Sequence, residues 1–250
     1  MTEIAYMVRE DWAQHGTAME PQSAVIREWI GEAPYLFAVT DVEKFVNDER
    51  GADVEAAEFV APDRTTRTLF NIREVGMLKR DDKVIDHAIA VLHPFEQRDL
   101  ELIREAVETG SVSRLFVLVW SPRDVVRTWL DGSGALNLHT GEALTAPAPL
   151  MVEACRMMID HQYNGLSSGP GKDAVVQLVR AFSTDGYTIE VDVWLRAYFA
   201  AGGNFHHAES IEKLVKEMKT GTKHRVKPRF PDNIFEIIRE RLQERAAVEA

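Results

Sequence analysis

Short apolar runs bounded by turn residues alternate with amphipathic stretches through the first half of the chain. Three of these runs are continuous and rich in β-branched or aromatic residues: 35–40 (YLFAVT), 88–93 (AIAVLH) and 113–120 (SRLFVLVW). Such runs are typical of parallel strands that are covered on both faces. Helix-start signals follow two of them, at Thr40 and Ser121. The pattern therefore predicts strands that are each followed by a helix, as in an α/β protein.

Helical periodicity dominates the second half of the chain. We predict helices at 148–161, 173–183, 190–201, 206–219 and 232–247. The predicted fold class is helix-rich α/β: a small, mostly parallel sheet flanked by helices, followed by a helical C-terminal region. Further strands are expected within 54–78 or 135–144, the latter as a hairpin.

The change in pattern divides the chain into an α/β body, residues 1–145, and a helical region, residues 146–250. No linker rich in Ser, Gly or Pro separates the two regions. We therefore expect them to pack as one unit.

Composition indicates an ordinary folded protein, with 45% hydrophobic and 28% charged residues. Cys155 is the single cysteine, so no intramolecular disulfide can form. It lies in an apolar helical stretch, where we expect a buried, inert thiol. The N-terminus lacks the features of a signal peptide, and the apolar runs are too short to cross a bilayer. We expect a cytoplasmic protein with no membrane partner.

Charge is distributed unevenly along the chain. The net charge is −11, yet residues 213–229 carry seven Lys/Arg and a single acid, Glu217. Two of the seven, Lys213 and Lys216, follow an acid by four residues on a predicted helix, so they belong to an ordinary solvated face. The remaining five are Lys219, Lys223, Arg225, Lys227 and Arg229.

The last four of these cations occupy every second position. This period predicts an extended segment with four positive charges on one side, and we call residues 223–229 the basic arm. A pair of helices joined by a short glycine turn, residues 202–204, precedes it. The leading hypothesis is a nucleic-acid-associated protein whose C-terminal helix pair, Lys219 and basic arm contact the phosphate backbone.

Other partners suit the same arm. It can dock on an acidic protein partner, on the acidic body of its own chain, or on a second copy in a homo-oligomer. It can also protect a sheet edge or be plain surface.

A different hypothesis makes the protein an enzyme. Four polar residues follow the predicted strands: Asp41, His93, Ser121 and Asp124. Ligands of parallel sheets bind beyond the carboxyl ends of the strands, so these are the candidate catalytic residues. The substrate expected here is a small molecule, either with or without a phosphate group. Helix capping explains Ser121 and the two acids equally well.

Residues 165–172 (GLSSGPGK) form a second candidate phosphate site, through Ser167, Ser168 and Lys172. The loop is not a Walker A motif, because Leu166 stands where the first glycine is required and Asp173 follows the lysine. A helix-to-helix connection is the alternative. His206 and Glu209 share a helix face, but no second ligand cluster accompanies them, so no metal site is predicted. The sequence identifies no cofactor, and a non-catalytic assembly protein is the third hypothesis.

Overall fold

We describe a computed structural model of the chain, which covers residues 2–9, 19–31, 35–47, 51–63, 67–78 and 85–249. The chain divides into two compact units, Met1–Leu144 and Thr145–Ala250. The first contains a mostly parallel sheet flanked by helices and the second is helical, which confirms the predicted fold class.

The first unit is built on one sheet. Its strands are β1 (Glu3–Val8), β2 (Tyr35–Val39), β3 (Arg67–Asn71), β4 (Ile85–Leu92), β5 (Val112–Val119), β6 (Leu136–Asn137) and β7 (Glu142–Ala143). Their order across the sheet is β3-β2-β4-β5-β1-β6-β7. All neighbours are parallel except β6 and β7, which form an antiparallel hairpin at the predicted place. The sheet has more strands than the three predicted runs: β3 lies within 54–78, where a further strand was expected, and β1 was not predicted.

Six helices of the first unit lie within the described residues. They are α1 (Met19–Ile30), α2 (Val42–Asn47), α3 (Ala52–Val60), α4 (Ile72–Leu78), α5 (Gln97–Glu108) and α6 (Val125–Gly132). The apolar sides of α1 and α3 enter one core with the inner face of the sheet, where Ile26, Ala57, Phe37 and Phe116 are fully buried. Helices α4 and α5 pack against each other.

The strand order explains which helices share a face. The connections from β1 to β2 and from β2 to β3 run towards one edge, and those from β3 to β4 and from β4 to β5 run towards the other. Parallel crossovers are right-handed, so the helices after β1 and β2 cover one face and those after β3 and β4 cover the other. The two sets separate between the neighbouring strands β2 and β4.

The second unit consists of helices. They are α7 (Pro149–Ile159), α8 (Gly169–Thr184), α9 (Val191–Ala200), α10 (Phe205–Lys219) and α11 (Ile234–Glu249), with a 3-10 turn at Gln162–Asn164. Large apolar side chains such as Phe182, Trp194 and Tyr198 form its core. Cys155 is fully buried, and burial raises the pKa of its thiol. It is therefore not an activated nucleophile.

The basic arm forms neither helix nor strand. Across the described part of the chain, no helix combines the length and apolar character needed to span a membrane.

Candidate functional site

A cleft of about 430 Å³ opens at the carboxyl end of β2. Its lining includes Thr40, Asp41 and Lys44 after β2, Asp53 and Val54 in the first turn of α3, and Phe95 after β4. This is the place between β2 and β4 where the crossovers change direction, and open parallel sheets bind ligands at such points. The volume is within the usual range for small-molecule sites.

Asp53 joins the cleft to the end of β4. The first turn of a helix favours a carboxylate, because its backbone N–H groups are unpaired. From this position the Oδ1 atom of Asp53 lies 2.5 Å from Nδ1 of His93. An ionised carboxylate can only accept, so Nδ1 carries the proton of this hydrogen bond. Asp53 thus faces the cleft with His93 directly behind it.

The backbone of His93 has an unusual conformation. Its φ is +44°, and among the described residues no other non-glycine residue has a positive φ. Its N–H donates to the carbonyl of Leu118 on β5, at 2.8 Å. Strained backbone of this kind is common where a side chain is positioned for function.

The imidazole of His93 is held from two sides. Its side chain is 8% exposed, and its Nε2 atom is buried without a hydrogen-bond partner in the described chain. The ring of Trp120, the residue after β5, lies edge-on to it at 4.9 Å between centroids. Trp120 is itself half exposed, and the guanidinium carbon of Arg9 lies 5.2 Å from the centroid of its ring. The ring of His93 is therefore fixed between Asp53 and Trp120.

Arg9 ties the end of β1 to the start of α3. Its guanidinium donates to the carbonyl of Ala52 at 3.1 Å and to the carboxylate of Glu55 at 2.8 Å. These bonds fix the helix turn that presents Asp53. Neither Arg9 nor Asp53 was singled out from the sequence, because their contacts join residues that are 40 or more positions apart.

The four candidate catalytic residues have different places. Asp41 lines the cleft and accepts the backbone N–H of Lys44 at 3.0 Å, which caps α2. Ser121 and Asp124 form the turn before α6, where the carboxylate of Asp124 accepts the N–H of Ser121 at 2.9 Å. The structure therefore brings Asp41 and Asp53 to the cleft, puts His93 behind Asp53, and engages Ser121 and Asp124 in a local turn.

The five cations of the C-terminal segment fall into two groups, paired and unpaired. Lys219 forms an ion pair with Glu190 at 2.7 Å, and the Nε atom of Arg229 lies 3.5 Å from the carboxylate of Asp173. Lys223, Arg225 and Lys227 are exposed, and within the described chain no acid pairs with them. Only three of the five predicted contacts are thus available to a partner without breaking an existing pair.

The backbone of the basic arm is docked on α8 of its own unit. Arg180 donates to the carbonyl of His224, and Gln177 accepts the N–H of Arg229 at 2.6 Å. The side chain of His224 is 7% exposed and lies 3.4 Å from Glu217. Burial, together with the nearby charge of Lys172, lowers the pKa of His224. The arm is held through its main chain and His224, while its three unpaired cations stay in solvent.

The loop before α8 is a tight helix start. Ser167 and Ser168 are exposed, and Ser168 occupies the N-cap position without a side-chain cap bond. Gly171 packs so closely that a β-carbon there would lie 2.1 Å from the carbonyl oxygen of Gly165. Lys172 follows in the first turn, half buried. The glycine therefore has a packing role that is independent of any phosphate.

Within the described residues, no group of three or more His, Cys, Asp or Glu side chains lies close enough together to hold a metal ion. The His206 ring packs on its neighbour His207 instead, at 4.7 Å between centroids. Comparison with known proteins adds no relative: the chain matches no family model, no curated protein and no solved structure.

Proposed function

We propose that the protein binds a small molecule in the cleft at the carboxyl ends of β2 and β4 and exchanges a proton with it. The observation that carries this proposal is the Asp53–His93 pair, whose nitrogen and oxygen lie 2.5 Å apart at the cleft wall. A carboxylate held in one orientation at a water-accessible cleft suits general acid–base chemistry. Asp53 is the candidate catalytic residue, and His93 positions it.

The lining of the cleft bears on the class of ligand. Asp41 and Asp53 contribute two negative charges and Lys44 one positive charge, and Phe95 adds an exposed aromatic ring. Two carboxylates repel a phosphate dianion. The lining therefore favours an uncharged or zwitterionic polar molecule with an apolar portion over a phosphorylated one.

The first test is a binding screen by ligand-observed NMR on the full chain, with amino acids and sugars as probes. A ligand of the cleft binds the wild type and the Glu142→Gln variant, and loses affinity in Asp41→Ala. Glu142→Gln is the matched control because Glu142 is an exposed acid in β7, at the far edge of the sheet from the cleft. Probes that all fail to bind, or that bind Asp41→Ala equally well, would refute the site.

The second test measures proton transfer directly. In deuterated water, NMR follows the exchange of carbon-bound protons of the bound ligand. We expect exchange in the wild type and in Glu142→Gln, and its loss in Asp53→Asn with binding retained. His93→Gln should slow exchange and alter its pH profile, as a positioning residue does. Equal exchange in Asp53→Asn would show that the carboxylate is not the base.

A second candidate function is nucleic-acid binding by the basic arm. The docked main chain holds Lys223, Arg225 and Lys227 outward in solvent, so no ordering of the segment is needed before phosphates bind. The remaining candidates, Lys219 and Arg229, would first have to leave Glu190 and Asp173. This supports a contact smaller than the five-cation one expected from the sequence.

Fluorescence anisotropy with a labelled oligonucleotide tests this candidate. The Lys223/Arg225/Lys227→Ala variant should bind more weakly. The slope of its affinity against salt concentration should correspond to about three fewer phosphate contacts. The control variant, Lys213/Lys216/Arg239→Ala, also loses three positive charges, so its net charge equals that of the arm variant. It should bind as the wild type does. No binding at low salt, or equal losses in both variants, would remove the hypothesis.

A further inference from the structure

Tyr163 is the most exposed large hydrophobic side chain in the described chain, at 96%. It lies in the 3-10 turn Gln162–Asn164, between α7 and α8. A single exposed aromatic residue is common on protein surfaces and needs no explanation by itself. Its neighbourhood makes this one different.

The basic arm ends beside this turn. Phe230, which follows Arg229, packs its ring against His161 at 5.3 Å between centroids. His161 is two residues before Tyr163. Gln177 fixes the same end of the arm, since its side-chain oxygen accepts the N–H groups of Arg229 and Phe230 at 2.6 and 3.3 Å. The arm therefore ends against a residue that is two positions from the exposed tyrosine.

The dimensions suit a short stretch of polynucleotide. From Lys223 to Arg229 an extended chain spans roughly 20 Å, at about 3.3 Å per residue. Its three unpaired cations lie on alternate residues, with the buried side chain of His224 and half-buried Val226 between them. Ser167 and Ser168, exposed at the start of α8, add hydroxyl donors near Tyr163 along the chain.

We propose that this surface binds single-stranded nucleic acid, with phosphates along the basic arm and one base stacked on Tyr163. The proposal rests on the nucleic-acid binding proposed above for the arm. A row of cations combined with an exposed aromatic ring is the usual composition of single-strand sites, because stacking needs an unpaired base. A duplex offers the ring no such base, and an acidic peptide gains little from it.

The test compares a labelled twelve-residue thymidine strand with a duplex of the same length, by anisotropy on the full chain at low salt. Tyr163→Ala should weaken binding of the single strand roughly 5- to 100-fold, the range expected for one lost stacking contact. Tyr163→Phe keeps the ring and should stay within about twofold of the wild type. Leu144→Ala removes another exposed apolar side chain, in the other unit, and should have no effect.

The outcomes separate this proposal from the one on which it rests. If Tyr163→Ala binds the single strand as the wild type does, or if the duplex binds as tightly and depends on Tyr163 equally, stacking is refuted while arm-mediated binding stands. If the wild type binds neither probe at low salt, both proposals fail. Loss confined to the single strand in Tyr163→Ala, with Tyr163→Phe unchanged, supports both.

Discussion

The phenol of Tyr6 and the carboxylate of Asp131 form a buried hydrogen bond of 2.5 Å in the first unit. Asp131 has no exposed surface, and Arg127 holds its other oxygen at 2.7 Å. Burial and this hydrogen bond raise the pKa of Tyr6. The phenol is therefore protonated at neutral pH and donates this hydrogen bond.

Removing this hydroxyl should destabilise the protein measurably. We expect Tyr6→Phe to lower the free energy of unfolding by about 1–3 kcal/mol, because a buried carboxylate oxygen loses its donor. Urea denaturation measures the change. Tyr163→Phe removes an exposed hydroxyl and should stay within about 0.5 kcal/mol of the wild type. Equal midpoints for the two variants would show that the buried bond contributes nothing.

Gly171 is a second residue whose role can be measured. Within a helix, alanine normally stabilises a protein relative to glycine by about 0.5–1 kcal/mol. Here the added methyl group would meet the carbonyl oxygen of Gly165 at 2.1 Å, so the backbone must move. We expect the clash to dominate, and Gly171→Ala to lower the free energy of unfolding by about 1–3 kcal/mol.

Gly186 provides the comparison, because its φ is +92° but nothing lies within 4 Å of the position that a β-carbon would take. Gly186→Ala should lower the free energy of unfolding by about 1–2 kcal/mol, only because alanine must adopt the left-handed conformation. Thermal or urea unfolding of both variants measures the cost of the clash and the cost of the left-handed conformation. A Gly171→Ala variant as stable as the wild type would mean that the helix start relaxes freely.

At the residue scale, the sequence predicted part of the candidate site. Asp41 and His93 follow strands, so the strand-end rule identified them. Asp53 was missed because it follows no strand, and its partner His93 is 40 positions further along the chain. Ser121 and Asp124 satisfy the same rule, yet they bond to each other in a turn. The rule locates an edge of the sheet and cannot distinguish a side chain that caps from one that faces the cleft.

At the scale of elements, strands with continuous apolar runs were predictable. Strands β2, β4 and β5 are central, and their side chains are buried along most of their length, so sequence and burial agree. Strand β3 (RTLFN) lies at the sheet edge beside β2 alone, and its polar ends carry little signal. Strand β1 was missed although it is apolar, since no turn and helix-start signal follows it in the way that one follows β2 and β5.

The basic arm is the element whose behaviour should depend most on pH. Released from α8, His224 has the ordinary histidine pKa of about 6.5. Docked, its pKa is lower, chiefly because it is buried, with Lys172 and Arg180 opposing its charge and Glu217 favouring it. The docked state therefore binds fewer protons than the released state. Docking is strongest above pH 6.5 and is lost progressively as pH falls through the lowered value.

Hydrogen exchange of the Arg229 and Phe230 amides, which donate to Gln177, measures this docking. After correction for the intrinsic rate, we expect their protection to fall several-fold between pH 7.5 and pH 5.5 in the wild type. His224→Gln should remove that dependence. His139→Gln alters an exposed histidine of the other unit and should behave as the wild type does. Protection that is independent of pH in the wild type would contradict the mechanism.

On the scale of the whole molecule, the two units differ in charge. Residues 1–144 carry 15 Lys/Arg and 26 Asp/Glu, a net of −11, whereas residues 145–250 carry 14 of each and are neutral. The entire acidic excess thus belongs to the unit that contains the cleft. The arm belongs to the neutral unit. At physiological ionic strength, the repulsion of phosphate by the acidic first unit is screened beyond about 8 Å.

Each unit has its own hydrophobic core, which predicts that cutting the chain between them leaves both folded. A protease site inserted between Thr145 and Ala146 lies in an exposed, irregular stretch and should be cut completely. After the cut, the backbone amide NMR signals around Phe116 and Trp194 should keep their positions, because the packing within each unit is intact. The same site inserted between Gly186 and Tyr187 divides the second unit, whose core contains Phe182 and Trp194, so its signals should collapse while those around Phe116 persist. Collapse of either unit after the cut at residue 145 would show instead that one core depends on the other.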